Sequence, residues 1–396
     1  MLASRAGQRS PFPGVVVVYH GYGGKDSMDF LTSTHAVVEG QETAEYQLIR
    51  SLEIENFRCF NKINLPDIRR FTIITGKNGS GKTAVLESLF VAAGNSPEIY
   101  LRTGAWRSGT EGRVPLSAAL SSLASVFEDF FHQFNVEAGL RISFKDSHGN
   151  DREVRVIPET EEVITLPFDS KISESAPSRG IKFFWKTPEG ETESKIELTP
   201  EGLRIPNPRN AYRMIFLNPQ TFQSPKENAD RFSSLDKKNQ EQPIIRAVSA
   251  LFPQVLGLSI QVKADSPGLF AHVSGVDRKM PIGLLSAGIH KFLAILLAIS
   301  ASPQGAVLVD EIENGFYYKL LTPMWQQLMK HCHYNKCQLI VTTHSKEFLD
   351  SIVPLVKGNE NDFCLLRTER ENGEARVLSF GGKEFASAIE SGFEVR

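Results

Sequence analysis

Residues 76–83 read Gly-Lys-Asn-Gly-Ser-Gly-Lys-Thr, a complete phosphate-binding loop of the G-x-x-x-x-G-K-[ST] type. Its glycines let backbone N–H groups close around phosphate oxygens, and the N-terminus of a following helix adds a favourable field. Lys82 is expected to reach the β- and γ-phosphates, and Thr83 to place its hydroxyl on Mg²⁺. The residues predicted to contact phosphate are Gly76, Lys77, Asn78, Gly79, Ser80, Gly81, Lys82 and Thr83.

The flanks of this loop have the character that a phosphate site requires. Residues 71–75 form a short apolar run rich in β-branched residues, and residues 84–93 have helical spacing. Strand, glycine loop and helix in this order distinguish a phosphate site from a glycine-rich turn before an ordinary helix.

Two acids, Asp310 and Glu311, follow a second apolar run, residues 306–309. A buried parallel strand exposes its last residues at the carboxyl edge of the sheet, where α/β proteins bind ligands. Asp310 is therefore a candidate Mg²⁺ ligand, directly or through water. Glu311 is a candidate base that polarises the water attacking the γ-phosphate. The alternative, a pair of helix-capping acids, is disfavoured because the phosphate loop is present.

Two further groups stand at places where an anion can bind. Ser286 and Gly288 precede the apolar helix predicted for residues 284–300, where a helix N-terminus can face an anion. Taken alone, these two residues favour a plain helix cap. His344 ends the strand predicted for residues 338–343, and its imidazole can hydrogen-bond the γ-phosphate or the attacking water.

The elements that must position these groups divide the chain into three parts. Residues 47–96 and 214–396 read as the nucleotide-binding core, and residues 1–46 as an N-terminal extension. Residues 97–213 read as an insertion that is helical over 116–134 and then β-rich. Within the core, two strands flank a helix in the order βαβ, which predicts a parallel pair.

Composition sets broad limits on function. The 396 residues are 41% hydrophobic and 23% charged, which is typical of a globular protein. Because the net charge is only −2, binding of nucleic acid would need a local basic patch such as Arg69-Arg70. Four irregularly placed cysteines predict no disulfide framework. No apolar run reaches the length of a membrane helix, so we expect a cytoplasmic protein.

Four potential zinc ligands lie in residues 331–337, but their spacing fits no standard module, and we interpret this segment as a solvated loop.

In this order, the phosphate loop, the Ser-x-Gly helix start, the Asp-Glu strand and the His strand resemble the ABC-type ATPase heads of the RecF, SMC and OLD branch. Residues 52–60, followed by residues 74–83 and Leu86-Glu87, resemble the opening of that branch. The run Asp310-Glu-Ile-Glu-Asn-Gly315 resembles the OLD-like ATPases of phage-defence systems. The resemblance implies an α/β P-loop NTPase, an ABC-type head with a mixed sheet and a β-rich insertion subdomain.

The same resemblance implies a homodimer that sandwiches two ATP molecules, each with Mg²⁺. One subunit would supply its phosphate loop, Asp310, Glu311 and His344, and the other subunit Ser286 and Gly288. Gln220 or Gln223 would be the Mg²⁺-sensing glutamine, and Arg58 would approach the nucleotide. Three residues depart from the family pattern, namely Ala287, Ile289 and Tyr317.

Three functions fit this pattern. We favour a slow ATPase that acts as a dimer switch and controls a separately encoded effector, a nuclease or toxin, in anti-phage defence. About fifty residues follow His344, too few for the Toprim nuclease domain of OLD enzymes. The alternatives are a RecF- or SMC-like DNA-binding repair ATPase and a non-hydrolysing scaffold in which nucleotide only joins the subunits.

Overall fold

The computed structural model describes residues 47–100, 103–104, 127–159, 180–195, 197–199, 202–204, 211–218, 225–263, 266–371 and 374–392. The predicted N-terminal extension, Gln220 and Gln223 lie outside these residues. The strands are β1 Ile49–Phe57, β2 Phe60–Leu65, β3 Phe71–Gly76, β4 Leu140–Asp146, β5 Asp151–Glu159, β6 Gly180–Thr187, β7 Gly190–Lys195, β8 Glu197–Thr199, β9 Gly202–Arg204, β10 Met214–Leu217, β11 Val255–Lys263, β12 Ser266–Val273, β13 Met280–Pro281, β14 Ala306–Val309, β15 Gln338–Thr342, β16 Phe363–Glu371 and β17 Glu374–Gly381. The α-helices are α1 Lys82–Ala93, α2 Pro225–Asp236, α3 Gln242–Leu251, α4 Ala287–Ala301, α5 Leu321–Tyr334, α6 Lys346–Val356 and α7 Gly382–Glu390.

The central sheet has six strands in the order β10-β14-β15-β3-β16-β17. Neighbouring strands are parallel except for β17, which pairs antiparallel with β16. Every residue of β3, β14 and β15 is buried, as expected for parallel strands that are covered on both faces. The predicted βαβ unit is confirmed, because β14 and β15 are parallel and α5 connects them. The predicted α/β class with a mixed sheet is likewise confirmed.

Helix α1 packs against one face of this sheet and α4 against the other. Ten of the twelve residues of α1 are buried, because the antiparallel sheet described next covers its second side. Helix α4 is apolar over nearly its whole length and lies in a core with residues of α3, α5 and α6. Both helices therefore have N-termini fixed by packing on more than one side.

A second sheet of six strands is antiparallel throughout, in the order β2-β1-β4-β5-β6-β7. The β-strands predicted for residues 97–213 are thus present, and β4 joins them to β1 with Leu52 opposite Phe144. This pairing covers the open edge of β1, so strands from the insertion and from the core share one sheet.

The structure differs from two local expectations. Of the helix predicted for residues 116–134, residues 116–126 lie outside the described residues, and residues 128–134 contain two 3₁₀ turns, Glu128–Phe130 and His132–Phe134, with Gln133 at a positive φ of 51°. The solvated loop predicted for residues 331–337 is wrong, because residues 331–334 end α5 and Cys332 and Cys337 are fully buried. No group of three or more His, Cys, Asp or Glu residues among those described is placed to hold a metal. Within the same residues, no helix combines the length and apolar character needed to cross a bilayer.

The side chain of Gln338, at the start of β15, joins the two sheets. Its amide oxygen accepts a hydrogen bond from the Ile49 N–H at 2.9 Å. Its amide nitrogen donates to the carbonyls of Ile49 at 3.0 Å and Arg69 at 2.9 Å. Gln338 is fully buried, so these backbone groups have no access to water as an alternative partner.

Replacing Gln338 with alanine should therefore lower the free energy of unfolding by about 2–4 kcal/mol, because buried polar groups of β1 lose their partner. Chemical denaturation measures this loss. Gln326→Ala, at an exposed position of α5, is the matched control and should change stability by less than about 0.5 kcal/mol. Equal stability of the two variants would show that the Gln338 bridge does not hold the sheets together.

Candidate nucleotide site

The phosphate loop connects β3 to α1 and is wedged between two other strands. Gly76 has φ 142° and Gly81 has φ 107°, values that side chains rarely allow. A Cβ atom at Gly76 would collide with the Thr368 carbonyl in β16. A Cβ atom at Gly81 would lie 2.6 Å from the ring of Phe60 in β2. The glycines are thus required by close packing as well as by the backbone turn.

Ser80 anchors this loop from inside. Its hydroxyl lies 2.6 Å from the hydroxyl of Thr368, which donates to the Thr75 carbonyl at 3.0 Å. Ser80 is buried, whereas Lys77, Asn78 and Gly79 are exposed. The exposed half of the loop is available to a ligand, and the buried half is fixed to the sheet.

Lys82, the first residue of α1, curls back over the loop. Its ammonium donates to the carbonyls of Gly76 at 2.8 Å and Lys77 at 3.1 Å. Burial lowers the pKa of Lys82, and the carboxylates of Asp310, Glu311 and Glu313 oppose this effect. The cation therefore interacts with the two predicted acids of the site and with Glu313.

Asp310 lies just after the end of β14 and contacts both neighbouring elements of the site. The Thr83 hydroxyl donates to its Oδ2 at 3.0 Å, and its Oδ1 accepts a bond of 2.5 Å from the Thr342 hydroxyl. Since β3, β14 and β15 are parallel, their carboxyl ends meet at one edge of the sheet. The structure brings together the predicted hydroxyl and carboxylate ligands at this edge.

Glu311 has a positive φ of 50°, an uncommon conformation for a residue with a side chain. Its N–H donates to the Thr342 hydroxyl at 2.8 Å, and its carbonyl accepts from the ammonium of Lys291 in α4. Asn314 donates to Oε2 of its carboxylate at 2.5 Å. The backbone and the carboxylate of Glu311 are thus held by separate partners.

Lys291 is a charged residue inside the apolar helix α4, with 6% of its surface exposed. Burial lowers its pKa to about 8, against the opposing effect of the carboxylates of Glu313, Glu311 and Asp310. A buried ammonium of this kind persists only beside acceptors, which the Glu311 carbonyl and these acids provide.

His344 lies beyond the end of β15 with its imidazole half exposed. Its N–H donates to Oε1 of Glu313 at 3.0 Å, and its Nδ1 lies 3.2 Å from the same oxygen. The imidazole therefore has one nitrogen facing a carboxylate and a solvent-accessible edge.

Ser286 caps α4, and its hydroxyl accepts from the Ile289 N–H at 3.4 Å. Gly288 is packed so that a Cβ atom there would lie 2.6 Å from the carbonyl oxygen of Gly315. Ser286 is exposed, whereas Gly288 is buried against the loop that follows Glu311. Within one chain, the start of α4 thus contacts the acidic loop and presents Ser286 to the surroundings.

Arg58 forms a buried ion pair with Glu87 of α1, with Nε 3.1 Å from Oε2. Its guanidinium carbon lies 4.2 Å from the centre of the Phe130 ring, and Nη1 donates to the Asp129 carbonyl at 2.8 Å. These contacts secure α1 to the second sheet. A nucleotide contact by Arg58 stays a prediction, as does the role of Gln220, which lies outside the described residues.

Sequence reasoning missed four groups that shape this site, namely Lys291, Glu313, Asn314 and Thr342. Glu313, Asn314 and Thr342 lie within three residues of a predicted site residue. The single lysine inside the apolar run of α4 was the available signal for Lys291. Neither clue reveals which partner each side chain contacts.

The residues present fit a nucleoside triphosphate with Mg²⁺. The Thr83 hydroxyl and the Asp310 carboxylate are adjacent oxygen donors, which Mg²⁺ prefers. The exposed part of the loop and the Lys82 ammonium provide donors and positive charge for phosphate oxygens.

Thr342→Val removes the hydroxyl that joins Asp310 to the Glu311 N–H while preserving side-chain shape. We expect the rate constant of ATP hydrolysis to fall about 10- to 100-fold, with the Kd for ATP changed less than about threefold. Steady-state phosphate release and nucleotide titration measure the two quantities. Thr342→Ser keeps the hydroxyl and should retain most activity, whereas equal rates in the two variants would contradict this role.

Residues 71–350 match the AAA_21 family model, described as "AAA domain, putative AbiEii toxin, Type IV TA system". An "ATP/GTP phosphatase" of Helicobacter pylori (strain ATCC 700392 / 26695) is 23% identical over 353 residues, which are 80% of this chain and 90% of that protein. The "DNA replication and repair protein RecF" of Thermomicrobium roseum (strain ATCC 27502 / DSM 5159 / P-2) is 48% identical over 46 residues, 12% of each chain.

Two solved SMC head structures are also similar to the chain. A head "bound to the C-winged helix domain of ScpA" has a TM-score of 0.45 at 16% identity and covers 84% of this chain and 98% of its own. The SMC head domain from Thermotoga maritima has a TM-score of 0.40 at 15% identity, with coverage of 84% and 99%.

The family match spans most of the nucleotide-binding core and confirms the predicted resemblance to ABC-type ATPase heads of the RecF and SMC branch. The chain belongs to the AAA_21 family of AAA domains and is an ATPase of this ABC-like type.

Proposed function

We propose that the chain binds ATP with Mg²⁺ at the phosphate loop, hydrolyses it slowly, and uses the cycle to join and release two copies of itself. The single observation that supports this best is the contact network in which Asp310 accepts hydrogen bonds from Thr83 and Thr342 while Thr342 also accepts one from Glu311. It connects the phosphate loop, the metal-binding acid and the candidate base at one sheet edge.

Binding is the task of the loop and the residues on either side of it. The exposed backbone of residues 77–79 and the N-terminus of α1 provide donors for phosphate oxygens. Lys82 would exchange its two loop carbonyls for phosphate oxygens, which hold it more strongly because they are charged. Mg²⁺ bound with ATP neutralises negative charge on the β- and γ-phosphates.

Hydrolysis requires a positioned base. In the proposed step, Glu311 accepts a proton from water as the water oxygen bonds to the γ-phosphorus and the β–γ bridging bond breaks, releasing ADP and phosphate. Asn314, Thr342 and Lys291 keep Glu311 in place before the reaction. A base held in this way contributes about 10²- to 10⁴-fold to the rate. His344 would hydrogen-bond the γ-phosphate or the attacking water.

Association of two copies follows from the charge of ATP and the position of Ser286. The triphosphate brings negative charge that one face does not neutralise, and the exposed start of α4 is a favourable anion contact. We propose that Ser286 and Gly288 of a second copy complete the γ-phosphate site. Hydrolysis then removes that ligand and shifts the equilibrium back toward separate chains.

The controlled effector, in this proposal, is a separate nuclease or toxin that acts in anti-phage defence. The family description names a putative toxin of a type IV toxin–antitoxin system, which supports a toxin–antitoxin setting, and the anti-phage role rests on the resemblance of residues 310–315 to OLD-like ATPases. A second candidate function, ATP-dependent DNA binding in repair, is favoured by the short match to a RecF protein. Against it, Arg69 and Arg70 already pair with Asp67 and Asp362.

Lys82→Ala should abolish ATP binding, because the loop loses the cation that faces the phosphates. Isothermal titration with ATP and Mg²⁺ should show at least about a 100-fold weaker Kd, and Lys383→Ala, an exposed lysine of α7, should bind as wild type does. Unchanged affinity in Lys82→Ala would refute the assignment of the loop.

Glu311→Gln should bind ATP and form a lasting dimer, because turnover is slowed about 100-fold or more while the contacts to ATP remain. Light scattering after gel filtration with ATP and Mg²⁺ detects this dimer, and Glu374→Gln, an exposed change in β17, is the control. Normal turnover in Glu311→Gln would place the base elsewhere. Tight ATP binding without phosphate release in wild type would favour the non-hydrolysing scaffold.

A further inference from the structure

Glu313 is a carboxylate of the site to which the hydrolysis scheme gives no role. It follows Glu311 by two residues in the loop after β14, and 8% of its surface is exposed. A buried carboxylate is costly unless it is hydrogen-bonded or faces a cation, so its surroundings should reveal why it is there.

One carboxylate oxygen of Glu313 contacts both the backbone and the ring of His344. Oε1 accepts from the His344 N–H at 3.0 Å and lies 3.2 Å from the His344 Nδ1. A carboxylate is an acceptor, so a hydrogen bond from the ring to this oxygen requires a neutral imidazole to carry its hydrogen on Nδ1, with Nε2 left as the acceptor. Both the backbone and the ring of His344 are therefore oriented by one side chain.

The other oxygen of Glu313, Oε2, is buried and has no hydrogen-bond partner among the residues that the structure describes. Two ammonium groups interact with this carboxylate, that of Lys82 and the buried one of Lys291, which also donates to the Glu311 carbonyl. Glu313 thus stands between the element that carries Glu311 and the strand end that carries His344. Its charge offsets that of Lys291, and its geometry constrains His344.

We propose that Glu313 is a positioning residue, which holds the imidazole of His344 at the edge of the nucleotide site with Nε2 free and acts through His344 rather than on the nucleotide. This inference rests on the proposed hydrolysis of ATP and adds to it a residue that no part of the reaction scheme requires. It accounts for a buried acid beside a half-exposed histidine, an arrangement that the stability of the fold alone does not demand.

The kinetic test is a double-mutant cycle of Glu313→Ala, His344→Ala and the double variant. If Glu313 acts through His344, each single variant loses about 10- to 100-fold in kcat and the double variant loses no more than His344→Ala alone. The KM for ATP should change less than about threefold in Glu313→Ala, because the phosphate loop is untouched. Losses that multiply in the double variant, or an unchanged kcat in Glu313→Ala, would overturn the proposal.

Glu347→Ala is the matched control. Glu347 is an exposed acid in the first turn of α6, three residues after His344, and it accepts a hydrogen bond from the Ser345 hydroxyl at 2.9 Å. Its removal should leave kcat within about twofold of wild type, since surface changes rarely alter a distant reaction. A loss as large as that of Glu313→Ala would show that kcat responds to any acid removed near His344, and the proposal would fail.

A spectroscopic measurement tests the contact without ATP. With ¹⁵N-labelled histidine, His344→Ala identifies the His344 ring signals at a pH where the ring is neutral. Wild type should show the Nδ1–H tautomer, and Glu313→Ala should shift it toward Nε2–H. An Nε2–H tautomer in wild type would overturn the proposal. If wild type proved unable to hydrolyse ATP, the proposed function would fall, and this measurement would still decide whether Glu313 orients His344.

Glu313→Asp covers the case in which Glu313→Ala does not fold. It keeps the charge beside Lys291 and shortens the side chain by one methylene, so that the carboxylate no longer reaches His344 in the same way. A lower kcat at unchanged melting temperature supports the positioning role. A kcat equal to that of wild type contradicts it.

Discussion

The carboxylate of Asp310 is the point on which the site depends. It accepts one hydrogen bond from the Thr83 hydroxyl at the start of α1 and another from the Thr342 hydroxyl at the end of β15. Three elements that are distant in sequence are thereby fixed to one pair of oxygens. Since α1 begins directly after the phosphate loop, the same contact sets the distance between the loop and the acids.

A second layer of polar contacts surrounds this point, and two of its residues, Lys291 and Glu313, are buried. Lys291, Glu313 and Asn314 contact the carbonyl of Glu311, the ring of His344 and the carboxylate of Glu311, respectively. Burying such groups is unfavourable unless they satisfy one another. The core therefore accepts a cost in stability that is common at sites where charged groups must be held rigidly for chemistry.

The two sheets serve different purposes around this site. The parallel sheet places the ends of β3, β14 and β15 at one edge, and the antiparallel sheet covers α1 from the other side. Gln338 connects the two sheets through hydrogen bonds, and Arg58 joins the antiparallel sheet to α1 through an ion pair. Helix α1 is clamped between them, which keeps the phosphate loop at its N-terminus in a fixed position.

Sequence alone determined the phosphate loop, the acid pair after β14 and the parallel βαβ unit, because each depends on neighbours in the chain, whose spacing and hydrophobic pattern are visible directly. The sequence-based prediction was wrong at residues 331–337, where the polar residues suggested a solvated loop although Cys332 and Cys337 are buried. Only the tertiary structure decided that β4 pairs with β1, that Lys291 reaches Glu311, and that Glu313 contacts His344. The separation ranges from 20 positions for Lys291 and Glu311 to 92 positions for Leu52 and Phe144, so packing, and no local pattern, selects the partners.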